Sequence, residues 1–224
     1  FALDCSDLKG KKLLNLDSEE EGVFTVSCAG GVRLDCALNA PQERADGMTG
    51  YRVTISGLKG GHSGMNINQG RGNANCLMGR TLYSAMERCP SLRVHELTGG
   101  EFDNVICLRA DALAAVSAAD APAFEAFIKE FDATLKNEYA VTDGGISLVC
   151  EKADVPVAFS AADTSRLLHV LLALPQGVQE MSADFPGLVQ TSLNLGVMRT
   201  DEEGVKFSYS VRSCIASQKD MLIQ

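Results

Sequence analysis

Gly60-Gly61-His62-Ser63-Gly64 sets a histidine among glycines, after an alternating apolar run and before a helical one. Glycines turn sharply and leave an imidazole uncovered. An uncovered imidazole N–H can donate to the oxyanion that develops during acyl transfer. The same spacing also fits a glycine-rich turn whose histidine caps a neighbouring carbonyl, and the residues alone leave both readings open. No Gly-Lys-Ser/Thr follows, so a phosphate cradle is disfavoured. Gly70-Arg71-Gly72-Asn73 is too short to read as a nucleotide site. His169, in an apolar helical stretch, reads as a packed core or boundary residue, and His95, in mid-strand without glycines around it, gives no signal of a site.

A second constellation lies near the C-terminal end. Val189, Leu193, Leu195 and Val197 alternate with Gln190, Ser192 and Asn194, and Val205, Phe207, Tyr209 and Val211 alternate with Lys206, Ser208, Ser210 and Arg212. A hairpin folded about Glu202 would set Arg212 opposite Ser192 and diagonal to Asn194 on one polar sheet face. A guanidinium there suits a substrate carboxylate, which it can grip through two parallel hydrogen bonds. The competing reading is an ordinary solvated sheet face, and a one-residue register slip would undo the geometry. Asp17 closes a short apolar run before Ser18-Glu19-Glu20-Glu21. A carboxylate at a strand's end can ligate a metal, although an acidic turn of this kind is equally a solvated one.

These residues need elements to hold them. Strands are expected over 13–16 and 23–28, then around Leu34, Cys36 and Leu38, and again around Tyr51, Val53 and Ile55. Gly30-Gly31 reads as a hinge or domain boundary, giving segments 1–30 and 31–224. A helix carries Ala74, Leu77, Met78, Leu82 and Met86 on one stripe. Strands over 92–98 and 104–110 precede a helix bearing Phe124, Phe127, Ile128, Phe131 and Leu135, with Pro122 in its first turn. A strand over 146–150 closes the unit. The order then recurs: a strand over 155–159, a helix capped by Asp163, the hairpin over 188–212, and a helix opened by Ser217 and Asp220. The expected fold class is α+β, built of two similar strand-helix-strand-strand-helix halves, with a largely antiparallel sheet and helices packed on one face.

The chain has 224 residues, 46% of them hydrophobic, and a net charge of -9. The acidic balance argues against nucleic acid and anionic membranes as partners, and no apolar run approaches the ~20 residues of a membrane span. The eight cysteines include no CxxC pair and sit largely in apolar stretches. They read as reduced, mostly buried thiols of a cytoplasmic protein. The chain opens without Met and its last helix stops short, so a piece of something longer is expected.

Several phrases occur together and in order: Leu14-Asn15-Leu16-Asp17-Ser18-Glu19-Glu20-Glu21-Gly22, Cys28-Ala29-Gly30-Gly31, Gly57-Leu58-Lys59-Gly60-Gly61-His62-Ser63-Gly64-Met65 and Gly70-Arg71-Gly72-Asn73-Ala74. Ser192-Leu193-Asn194-Leu195-Gly196 and Ser210-Val211-Arg212-Ser213 follow. Together they resemble the aminoacyl-histidine dipeptidases, members of the zinc aminoacylase and carboxypeptidase group, over essentially the whole chain. The resemblance implies a two-zinc catalytic domain with a lid inserted into it, Asp17 being the one zinc ligand present. It further implies His62 as the lid group that steadies the tetrahedral intermediate, Arg212 as a substrate-carboxylate binder and Asn194 as a lid contact. The remaining ligands and the general-base glutamate would lie outside this chain, leaving it inactive alone. The implied partners are a dipeptide, the rest of the catalytic domain and, in a dimer, a second copy. One departure stands out: Asn66 and Asn68 occupy positions where relatives carry Asp and His, which puts polar contacts there in doubt. The alternatives are a non-catalytic dimerisation or binding module, a tripeptide aminopeptidase, or an acylamino-acid deacylase.

Overall fold

The computed structural model describes residues 9–12, 21–22 and 28–224. Asp17 and the strand expectations over 13–16 and 23–27 lie outside the described residues. The first part runs β1 (Gly30–Asn39), β2 (Gln42–Arg44), β3 (Met48–Ser56), β4 (Gly61–His62), α1 (Ala74–Arg88), β5 (Arg93–Gly99), β6 (Val105–Ile106), β7 (Ala110–Ser117), α2 (Ala121–Glu138) and β8 (Ser147–Lys152). The second continues through β9 (Val157–Phe159), α3 (Ala161–Ala173), β10 (Gly177–Met181), β11 (Val189–Asp201), β12 (Gly204–Ser213) and α4 (Ala216–Ile223).

Alternation decides the layers. Tyr51, Val53 and Ile55 of β3 and Phe207, Tyr209 and Val211 of β12 are buried on one sheet face. Leu77, Met78 and Leu82 of α1, Phe124 and Phe127 of α2, and Leu167 and Leu171 of α3 close over that face in one continuous core. Each such side chain contributes roughly 1.5–3 kcal/mol on burial. The main sheet is antiparallel throughout, ordered β1-β12-β11-β5-β7-β3-β8, with β10 also on β11. The expected α+β class, with its helices on one face, is what forms.

The repeat is built differently from its sequence order. The hairpin β5–β7 takes β3 as its third strand, whereas β11–β12 takes β1 from the start of the chain. The expected strand over 155–159 forms only Val157–Phe159 and pairs with β2 in a separate two-stranded sheet. Between the halves, β5 and β11 pair over just Thr98–Gly99 and Met198–Arg199. Asn75, fully buried, reaches from α1 into this seam and donates to the carbonyls of Gly99 and Leu195.

Several expected boundaries shift for local reasons. Gly30 and Gly31 are strand residues paired with Ser213 and Arg212, and neither has positive φ, so they open β1 and form no turn. The expected strand over 104–110 divides into β6 and the start of β7. The full β7 is alanine-rich, and alanine carries little strand signal. α3 is capped by Ser160, whose Oγ accepts from the Asp163 N–H at 3.0 Å and donates to the Asp163 carboxylate at 2.8 Å. Asp163 therefore answers the cap from the first turn rather than supplying it. α4 begins at Ala216 without a side-chain cap, so Ser217 does not open it.

The seven described cysteines are free. Cys89 and Cys107 are buried, three are half-buried, and Cys28 and Cys214 are exposed, so fewer are buried than the apolar context suggests. Burial pushes the Cys107 thiol up to about 11, which keeps it a thiol at neutral pH. No helix among the described residues is long and apolar enough to cross a membrane.

Candidate functional site

His62 sits on β4, a two-residue strand that pairs with β6 and sets His62 against Val105. Gly61 precedes it at φ 135°, a conformation that side chains disfavour. A Cβ on Gly61 would come within 2.7 Å of the Asn66 carboxamide. The turn is tied internally: the His62 N–H donates to Asn66 Oδ1 at 2.9 Å, and the Asn66 N–H donates to the His62 carbonyl at 2.9 Å. Asn66 thus supplies an acceptor with its carboxamide, which answers the doubt over polar contacts at this position.

The imidazole is oriented by the backbone that follows it. Nδ1 accepts from the N–H groups of Gly64 at 3.2 Å and Met65 at 3.3 Å. A neutral imidazole accepting at Nδ1 carries its proton on Nε2. His62 is thereby set as an N–H donor, and among the described residues its ring caps no carbonyl.

Arg212 reaches the same place from the other half of the fold. A Cβ placed on Gly64 would lie 3.1 Å from His62 Cε1 and 3.5 Å from Arg212 Cζ, so the two groups flank one backbone position. They line a cleft of about 680 Å³ together with Asn68, Gln190, Ser192 and Cys214. Arg212 Nε is buried without a hydrogen-bond partner, and no carboxylate among the described residues forms an ion pair with the guanidinium. A half-buried cation with no partner is costly unless something else supplies the anion.

The expected register of Arg212 against Ser192 is found. It arises from two offsets that cancel. The turn residues are Glu202 and Glu203, which shifts pairing near the turn by one, and a bulge between Leu195 and Val197 shifts it back. Beyond the bulge the faces exchange, so Met198 and not Val197 enters the core.

Asn194 has a different position from the one expected. It is fully buried, and its Nδ2 donates to the carbonyls of Asp103 and Val105, both at 2.8 Å. Its Oδ1 accepts from Asn73 and Gln176, both at 3.3 Å. Val105 is the residue paired with His62, so Asn194 steadies the strand behind the histidine. Replacing Asn194 by Ala should cost roughly 2–3 kcal/mol, because two carbonyls lose their donor in a buried setting. Urea unfolding with an unchanged m-value would register this as a lowered midpoint.

His95 and His169 lie away from the cleft. His95 Nδ1 meets Gln42 Oε1 at 3.0 Å, and the exposed His169 packs edge-on against Tyr83. Sequence reasoning missed Arg71, whose Nη1 donates to the Gly60 carbonyl at 2.6 Å, and gave Asn68, which lines the cleft, only as a departure from relatives. Both lie in the glycine-rich segment, which gave no periodicity to read. Among the described residues no group of three or more His, Cys, Asp or Glu could hold a metal ion.

Residues 53–143 match the peptidase dimerisation domain family. The chain is 35% identical over 225 residues to the cytosol non-specific dipeptidase of Escherichia coli (strain K12), covering 100% of this chain and 46% of that protein. Its fold matches the crystal structure of aminoacylhistidine dipeptidase from Vibrio alginolyticus with a TM-score of 0.87 at 35% identity, over 99% of this chain and 45% of that one. The chain thus spans less than half the length of either relative. The resemblance to the aminoacyl-histidine dipeptidases is borne out.

Proposed function

We propose that this chain, whose residues 53–143 match the peptidase dimerisation domain, is the substrate-covering lid of a zinc-dependent dipeptidase, residues 31–224 forming the lid and 1–30 part of the catalytic domain. The observation that carries this reading is the Arg212 guanidinium, without an ion pair among the described residues, beside an imidazole whose Nδ1 accepts two backbone N–H groups, both on one cleft. Arg212 grips the dipeptide's terminal carboxylate. His62 Nε2–H then donates to the scissile carbonyl oxygen, a contact that strengthens as charge builds on that oxygen. Ser192 and Gln190 supply polar contacts along the same wall.

The described residues do not by themselves fit a catalytic zinc, since they contain no cluster of ligands. Two zinc ions would be held by the remainder of the parent, with Asp17 as this chain's contribution. When bound, they supply Lewis-acid and nucleophile-generating chemistry. This chain's own residues bind the substrate, orient it and meet the oxyanion. Its partners are a dipeptide, the catalytic domain and, in keeping with the matched family's description, a second copy, all in the cytoplasm.

A substrate panel on the full-length parent tests this. Dipeptides, including β-alanyl-histidine, should be cleaved well, and tripeptides and N-acetylated amino acids poorly. The 224-residue chain alone should cleave none of them. Activity confined to N-acetylated amino acids or tripeptides would reassign the substrate, and an inactive parent would favour a binding module.

A further inference from the structure

The loop that presents His62 spans residues 57–72, and Asp143, which lies far from it in sequence, holds its two ends together. Asp143 is fully buried. Its Oδ1 accepts from the Lys59 N–H at 2.8 Å, and its Oδ2 accepts from the Gly72 N–H at 2.9 Å. One carboxylate thus spans the base of the loop, three residues before His62 and ten after it. No ion pair engages Asp143 among the described residues; these two amides are what the carboxylate meets. A buried carboxylate is costly unless hydrogen-bonded, so a neutral residue would serve mere packing better.

The surrounding chain is shaped to the same end. Asp143 is anchored by its own N–H to the Tyr139 carbonyl at the end of α2, and its carbonyl accepts from the Ile146 N–H ahead of β8. Gly57, at φ 78°, lets the loop leave β3 directly against Gly145; a Cβ there would fall 1.9 Å from the Gly145 carbonyl oxygen. The loop's base is therefore fixed to the α2–β8 turn, while its tip carries the imidazole into the cleft.

We propose that Asp143 is the positioning residue for His62: by clasping both ends of the loop it holds the Nδ1 contacts to Gly64 and Met65, and so keeps the proton on Nε2. The catalytic consequence rests on the reading of His62 as the oxyanion donor; the structural consequence does not. Asn is the informative replacement, because its single carbonyl can serve only one amide and its NH₂ opposes the other. Misplacing a catalytic group by about 1 Å can cost on the order of 10²-fold in rate.

The test has two readouts. The 224-residue chain has three histidines, so its imidazole ¹⁵N signals can be assigned by comparison with His62→Ala. Wild type should show His62 with a pyrrole-like Nε2 and a pyridine-like Nδ1. Asp143→Asn should average these toward the values of a free imidazole, with His95 and His169 unmoved. An unchanged His62 spectrum in folded Asp143→Asn overturns the proposal. If that variant does not fold, amide exchange in wild type decides: Lys59 and Gly72 should be protected like the amides of β3, and free exchange at either overturns it. In the full-length parent, Asp143→Asn should lower kcat about tenfold or more with KM within about threefold, and should have no further effect in a His62→Ala background. Equal losses in both backgrounds would mark a general structural role and overturn the clasp. Should His62→Ala leave kcat intact, the oxyanion reading fails while the ¹⁵N comparison still judges Asp143.

Discussion

Replacing His62 by Ala in the full-length parent is expected to lower kcat by about 10²–10³-fold, the range set by losing one oxyanion donor. The basis is the orientation of the ring. Two backbone N–H groups occupy Nδ1, which leaves the proton on Nε2, and the residue lines the cleft beside Arg212. A donor fixed in this way needs no reorganisation as charge develops, which is why its loss falls on kcat more than on KM. Zinc content, measured by metal analysis on the same preparation, should stay at the wild-type level. Parallel loss of zinc and activity would make His62 a ligand instead. His62→Gln is informative as well, because a carboxamide N–H can reach the oxyanion but cannot also accept from Gly64 and Met65 in the same plane. It should recover part of the rate and no more.

The second large effect is expected at Arg212. Its guanidinium has no ion pair among the described residues and its Nε is buried, so the substrate carboxylate is the anion it is arranged to meet. Hydrogen bonds to charged groups are worth about 1.5–3 kcal/mol, so Arg212→Ala should lower kcat/KM by roughly 10–10²-fold, chiefly through KM. Arg212→Lys should restore little, because a point charge cannot reproduce the two-pronged grip. Stability should move the other way. Removing an unpaired, half-buried cation relieves a desolvation cost, so thermal unfolding of Arg212→Ala should be unchanged or slightly later. A large loss of stability with KM unaltered would make Arg212 a structural residue.

Much of this was legible in the sequence because of two periodicities. Alternation in β3, β11 and β12 announced which faces would be wet, and the 3.6-residue stripes of α1 and α2 announced what would cover the dry one. The Arg212–Ser192 pairing was reached although the bulge beside Gly196 was not foreseen; the turn and the bulge each displace the register by one residue, in opposite senses. Asn194 shows where strand parity misleads. It does lie on the polar side of β11 before the bulge, but segment 103–105 folds over it, and parity says nothing about a covering loop. β7 was lost because Ala110, Ala112 and Ala114 give the right alternation in a residue type that favours no strand. Asp143 could not be read at all. Thr142-Asp143-Gly144-Gly145 looks like an ordinary turn, and its role depends on a fold that brings it to residues 71 and 84 positions earlier.

The most direct measurement of whether His62 and Arg212 act together on a developing oxyanion is the affinity of a phosphinate dipeptide analogue, a mimic of the tetrahedral state, for the full-length parent. In His62→Ala its Kd should rise by the same factor by which kcat/KM falls, while the KM for dipeptide stays near the wild-type value. In Arg212→Ala, analogue affinity and substrate affinity should weaken together. An analogue that binds His62→Ala as tightly as wild type would contradict the assignment of His62 as the oxyanion donor.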